Sequence, residues 1–287
     1  MNSNKTILIT GTSSGFGLLT AARLASHSHH VIATMRNISK QGPLVDEVKH
    51  QGGTVDIVRL DVTDKSSINN AIEEIATKYG FIDVLVNNAG YGIGGFFEDL
   101  TEDEIRRQME TNFFGVQNVT RAVIPMMRAR RSGKIINVSS VSGFSPSPAF
   151  GAYAASKWAL EAFSESLHYE LAQWGIKVLL IEPGTYKTSI FFENARYAKH
   201  FDNQSSPYFP ASQKFRQMVM EYVKACRKDP EAVAALVEKL INSANPSFRS
   251  IPDIESRIIY FLRKYLPFSI YSWGFHNFFL KKLDLTK

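Results

Sequence analysis

Tyr153 and Lys157 stand four residues apart in Tyr-Ala-Ala-Ser-Lys, a segment that reads as the opening of a helix, so their side chains share one face. A phenol beside an ammonium is a tunable acid. An opposite charge within reach favours the ionised form by roughly 1 to 3 units. That moves a tyrosine from about 10 toward the range useful for general acid/base work. Ser140 lies thirteen residues upstream of Tyr153, just beyond an apolar run, Lys134 to Val138, that reads as a strand. A hydroxyl at a strand's carboxyl end opens onto the crevice where α/β sheets bind ligands. The same Tyr-x-x-x-Lys spacing recurs at Tyr260 and Lys264, where it reads as a solvated helix face. Spacing alone therefore carries little, and the surrounding elements decide.

Those elements alternate strand and helix from the first residues onward. Thr6 to Thr10 read as a strand that runs into Gly11-Thr12-Ser13-Ser14-Gly15-Phe16-Gly17 and then a helical pattern. Glycines at such a junction let the backbone turn tightly and approach a pyrophosphate at the helix N-terminus; taken alone, the loop also suits a plain strand-to-helix connection. His30 to Thr34 read as a second strand, followed by Met35 and Arg36. An NAD site would place a carboxylate here for the ribose diol. A guanidinium instead is suited to a 2′-phosphate, with Ser13 adding a hydroxyl, so NADP(H) is expected over NAD(H); the alternative is that Arg36 caps a surface loop. The histidines at 27, 29 and 30 lie on adjacent loop positions that do not converge, and no metal is expected.

Val55 to Leu60 read as a third strand ending at Asp61-Val62, where Asp61 either accepts from an adenine amino group or caps the turn with Thr63. A fourth, Ile82 to Asn87, ends in Asn88-Ala89-Gly90, small residues that let backbone approach a cofactor. Thr101 and Glu104 fit a capping box opening one long helix to about Arg131. Asn112 inside that helix is costly unless its amide is satisfied. Either a bulge there frees its carbonyl to hold a water linked to Lys157, or the amide bonds neighbouring main chain. After the helix from Tyr153 to about Trp174, a strand Lys177 to Ile181 ends in Glu182-Pro183-Gly184-Thr185, where backbone groups with Thr185 or Thr188 suit a carboxamide.

Uninterrupted alternation without a linker argues for one domain over residues 1–287, and a single cysteine, Cys226, excludes an intramolecular disulfide. The net charge of +6 is concentrated at the end: residues 257 to 287 hold six basic residues against Asp284. A near-neutral remainder argues against nucleic acid. No signal peptide precedes the first strand, so a cytoplasmic setting is expected.

With the glycine loop, Asn88-Ala89-Gly90, Asn112, Ser140, Tyr153 and Lys157 in order, the chain resembles the short-chain dehydrogenase/reductase family over about residues 5 to 190. Ala33 to Arg36, Ala159 to Leu167 and Asp229 to Ala234 resemble its 17β-hydroxysteroid dehydrogenase and retinol dehydrogenase branch. The resemblance implies an α/β, Rossmann-type doubly wound parallel sheet of about seven strands with helices on both faces, and B-face hydride transfer. It implies that Tyr153 is the general acid and Ser140 orients the carbonyl. Lys157 would bind the nicotinamide ribose and lower the tyrosine pKa, and Asn112 would anchor a water relay. Relatives pair through the long helices at about 101–131 and 153–174, which implies a homodimer or homotetramer.

Residues 189–212 are polar but studded with Phe191, Phe192, Tyr197, Phe201, Tyr208 and Phe209, which reads as a mobile lid over an apolar ligand. The expected substrate is a hydrophobic ketone, aldehyde or secondary alcohol, steroid-, retinoid- or lipid-like. A small polar carbonyl compound, or an NADP(H) sensor without turnover, stays open. An aromatic and basic extension covers about 253–287, with no apolar run near 18 residues, so it should not span a bilayer. Two readings remain: it lies peripherally on an anionic membrane surface, or it packs over the active site or a subunit partner.

Overall fold

The computed structural model describes residues 4–188 and 195–283. Aliphatic and β-branched runs make its longer strands, β1 Thr6–Thr10, β2 His30–Met35, β3 Val55–Arg59, β4 Val84–Asn87, β6 Gly133–Val138 and β7 Ile176–Ile181, and three two-residue strands complete the set, β5 Ile93–Gly94, β8 Arg196–Tyr197 and β9 Arg249–Ser250. Seven of them form one parallel sheet in the order β3-β2-β1-β4-β6-β7-β9, and β5 pairs separately with β8. Every residue of β1 and β4 is buried. That is the reading expected of a parallel sheet covered on both faces.

The covering helices are α1 Gly15–Ser26, α2 Gly42–His50, α3 Lys65–Tyr79, α4 Glu102–Met109, α5 Gly115–Ala129, α6 Gly151–Ala172, α7 Phe209–Ala225 and α8 Glu231–Asn242, followed by α9 Ile254–Tyr265 and α10 Phe268–Leu283. Side chains alternate across a strand, so β1 feeds two cores. Ile7 and Ile9 meet Leu24, Leu44 and Val233 from α1, α2 and α8. Leu8 meets Ile75, Val123 and Leu167 from α3, α5 and α6. The chain winds outward from β1 to β3, then returns to β4 beside β1 and winds the other way. The crevice above the carboxyl ends of β1 and β4 is where such sheets take ligands.

Three details differ from expectation. The helix foreseen from 101 to 131 begins with the capping box of Thr101 and Glu104 but breaks into α4 and α5 at a π-helical turn, Glu110–Phe114. Tyr260 is not on a solvated face: its ring packs edge-on against Phe144, with centroids 5.2 Å apart. The aromatic stretch after Ala195 is packed rather than loose, because a third apolar cluster forms around buried Phe201 and Phe215 with Phe96, Ala198 and Leu283. Tyr208 stacks on Phe96 at 4.9 Å. Phe191 and Phe192 of the expected lid lie outside the described residues.

Candidate active site

The first strand ends by tying itself to the fourth. Thr10 Oγ1 accepts the N–H groups of Asn88 and Ala89 at 3.1 and 3.0 Å, and Asn88 Nδ2 donates back to the carbonyls of Thr10 and Gly11 at 3.0 and 2.9 Å. Gly11 sits at φ +73°, and a Cβ there would lie 2.7 Å from Ala89 Cα, so only glycine allows this approach. Gly17 serves the same junction. A Cβ on it would strike Asn88 Nδ2 and the Gly11 carbonyl, so the loop packs directly on its Cα. Gly11, Ser13, Ser14, Gly15 and Phe16 do line the cavity at the start of α1. That first turn holds no acidic residue, so its free N–H groups and dipole favour an anion.

Arg36 lies exposed just past β2 on the same cavity wall as Asn37 and Lys40. Among the described residues neither cation has a carboxylate partner. Lys40, four residues beyond Arg36 at the end of a short 3-10 turn, was missed by the sequence reading. Asp61 Oδ1 accepts from Thr63 N and Oγ1 at 3.0 and 2.8 Å, so this carboxylate does cap its turn. Asp61, Val62, Asn88, Ala89 and Gly90 all border the cavity, as do Pro183, Gly184, Thr185 and Thr188 on the far side.

Ser140, Tyr153 and Lys157 all line that cavity. The Ser140 hydroxyl is bonded to the Tyr153 phenol and its Oγ also accepts from Ser142 N at 3.1 Å, which fixes its direction. Burial pushes the phenol pKa up, and the Ser140 bond pulls it partly back. Lys157, expected to lower that pKa, is engaged with main chain instead. Its ammonium donates to the Val138 carbonyl at 2.8 Å and stands 5.8 Å from the tyrosine ring centroid. Burial lowers the Lys157 pKa itself to about 8, offset in part by the charge of Glu161 one turn along α6.

Asn112 is buried outside the cavity, within the π turn, and works through its neighbours. Its Nδ2 donates to the Tyr91 carbonyl at 2.9 Å and to Ser156 Oγ at 3.1 Å, and its Oδ1 accepts Tyr91 N at 3.1 Å. The amide thus bonds neighbouring main chain, one of the two readings left open, and clamps the Asn88–Tyr91 loop to the helix that carries Tyr153. A second buried chain, invisible in the sequence, runs from Thr120 through Asn87 and Asn137 to Ser164 and joins β4 and β6 to α5 and α6.

The cavity has a volume of about 1750 Å³, above the ~300–1,000 Å³ usual for one small-ligand pocket. One end is the polar wall of the glycine loop, Arg36 and Asp61. The other is apolar: Phe215, Met218 and Val219 of α7 face Phe275 and Phe279 of α10. Phe150 bridges the halves, edge-on to both Tyr153 and Phe215. The C-terminal helices therefore pack over the site, and Tyr271 reaches Ser145 with the two hydroxyl oxygens 2.6 Å apart.

Comparison with known proteins fits this geometry. The family model described as short chain dehydrogenase matches residues 5–198. The 3-ketodihydrosphingosine reductase of Bacteroides thetaiotaomicron is 40% identical over 85% of this chain and 86% of that protein. Retinol dehydrogenase 8 of Bos taurus is 37% identical over 85% and 80%. Among solved structures, an actinorhodin polyketide ketoreductase with NADPH superposes with a TM-score of 0.73 at 27% identity, over 88% of this chain and 96% of that one. The chain belongs to the short-chain dehydrogenase family and is an oxidoreductase acting on CH–OH and C=O groups.

Proposed function

We propose that this enzyme uses NADP(H) in preference to NAD(H) and interconverts the ketone or aldehyde and the alcohol of a large apolar substrate. The observation that carries the reading is the position of the Tyr153–Ser140 pair, between a cationic polar wall and an aromatic pocket within one cavity. The polar end fits the dinucleotide: an acid-free helix N-terminus for the pyrophosphate, and Arg36 with Lys40 for a 2′-phosphate. Asp61 and Val62 would border the adenine, and Pro183 to Thr188 the carboxamide. When bound, the cofactor supplies or takes up the hydride.

The side chains supply the rest. Ser140 Oγ–H holds the substrate oxygen, and the Tyr153 phenol gives that oxygen its proton on reduction or removes it on oxidation. Lys157 holds the nicotinamide ribose and keeps positive charge beside the phenol, and Asn112 anchors the helix turn that leads to solvent. The apolar half, and relatives named for a keto sphingoid base and for retinol, support a substrate with a long hydrocarbon chain or ring system. We further read the chain as a homodimer or homotetramer through α5 and α6. Phe114 before α5, and Trp158 and Tyr169 on α6, are exposed there.

The test is NADPH consumption against apolar and polar ketones and aldehydes, for wild type and Tyr153→Phe. Loss of about 10²-fold or more in turnover, with NADPH binding retained, is the expected result. Equal turnover in the mutant would sink the assignment.

A further inference from the structure

Helix α9 carries its apolar residues on the side away from the protein. Ile254, Ile258, Phe261 and Tyr265 recur at three- and four-residue steps, so they form one stripe, and they are 73%, 53%, 56% and 67% exposed. Helix α10 is apolar on both sides. Tyr271, Phe275 and Phe279 form an inward ladder of stacked rings, while Trp273 and Phe278 point outward at 71% and 55% exposure. A helix apolar all round is ordinarily covered on every side.

The charge around this face narrows what covers it. Arg257, Arg263, Lys264, Lys281 and Lys282 surround the rings, and α10 contains no acidic residue. Glu255, the one acid of α9, is taken by Lys228 at 2.8 Å and Tyr222 at 2.9 Å. Aromatic rings edged by cations that, among the described residues, pair with rings and main chain rather than with carboxylates match an anionic lipid surface. At 16 residues, α10 is about 24 Å long, short of a bilayer core, and no helix among the described residues is long and apolar enough to cross a membrane.

The exposed face and the cavity also share side chains. Leu262, Leu266, Ile270, Trp273 and Phe278 are exposed at the surface and line the cavity as well. We infer that α9 and α10 dock on an anionic bilayer with the cavity mouth against the lipid, so that the substrate passes from membrane to Tyr153 without crossing water. The second clause rests on the proposed reading of the cavity as a substrate site; the docking does not.

The test pairs the wild type with the double variant Ile258→Glu, Phe261→Glu, whose positions are exposed and do not line the cavity. Sedimentation uses phosphatidylcholine vesicles with and without phosphatidylglycerol. Wild type is expected to pellet with the anionic vesicles, weakening with salt, and the variant to lose that partition at least about tenfold. Turnover of a long-chain ketone held in the vesicles should fall in parallel, with turnover of a water-soluble ketone unchanged. Failure of wild type to pellet, or equal pelleting of both proteins, would overturn docking. So would a change in oligomeric mass of the variant by light scattering, which would make a second copy the occupant. Pelleting with vesicle-borne and soluble ketones turned over alike by both proteins would overturn the uptake route. Absence of all ketone turnover would count against the proposed reaction and leave the sedimentation result to decide docking separately.

Discussion

Asp253 Oδ2 accepts the N–H of Gly184 at 2.9 Å, bolting the start of the C-terminal extension to the loop that follows β7. The same carboxylate caps α9 by accepting Ser256 N at 3.0 Å and pairs with Lys228 at 3.1 Å. Gly184 has no room for a side chain there, because a Cβ would run into Ser256 and Asp253. The start of the extension is therefore joined directly to the loop that holds Pro183 to Thr185.

Asp253→Ala removes a cap and leaves a buried N–H unpaired, a loss of roughly 2 to 4 kcal/mol. Thermal unfolding should show it, with a raised KM for the cofactor. Burial raises the Asp253 pKa, but the bonds from Gly184, Ser256 and Lys228 outweigh it and leave it depressed. Its contribution is present above the unfolded value of about 3.9 and is lost as pH falls through the lower folded one. Acid unfolding of Asp253→Ala should accordingly be less steep than that of wild type.

Asn112→Leu strands the Tyr91 N–H, while Gln108 Nε2 still donates to the Tyr91 carbonyl at 2.8 Å. Each buried group left unsatisfied costs about 1–3 kcal/mol, so a lowered denaturation midpoint is expected together with lost turnover. An unchanged midpoint would show that the clamp between the Asn88–Tyr91 loop and α6 carries no weight.

Burial lowers the Lys157 pKa to about 8, so its cation is present below that pH and lost as pH rises through it. A reaction needing that charge declines on the alkaline side, measured as kcat/KM against pH. Glu161 raises the Lys157 pKa, and Glu161→Gln should shift the alkaline limb to lower pH without abolishing turnover at neutral pH.

Arg36→Leu should weaken NADPH while sparing NADH. A charge-assisted hydrogen bond contributes about 1.5–3 kcal/mol, which corresponds to roughly tenfold to a hundredfold in affinity. Adding Lys40→Leu should deepen the loss. Equal effects on both cofactors, measured by fluorescence titration, would argue against 2′-phosphate recognition by this wall.

What the sequence determined by itself is whatever rests on local periodicity and residue type. Continuous apolar runs separated by helical patterns specify a parallel sheet covered on both faces. The glycine loop, Asn88-Ala89-Gly90, Ser140 and Tyr153 then fall at strand ends or a helix start by spacing alone. Tertiary structure decided what depends on partners distant in the chain. That Gly17 packs on Asn88, that Lys157 donates to the Val138 carbonyl and that Asn112 bonds Tyr91 are set by packing between elements. The lid residues show the same limit. Their aromatic character was plain, but Phe201 is buried because it packs with Phe96, with Phe215 of α7 and with Leu283 of α10, and no local pattern encodes that convergence.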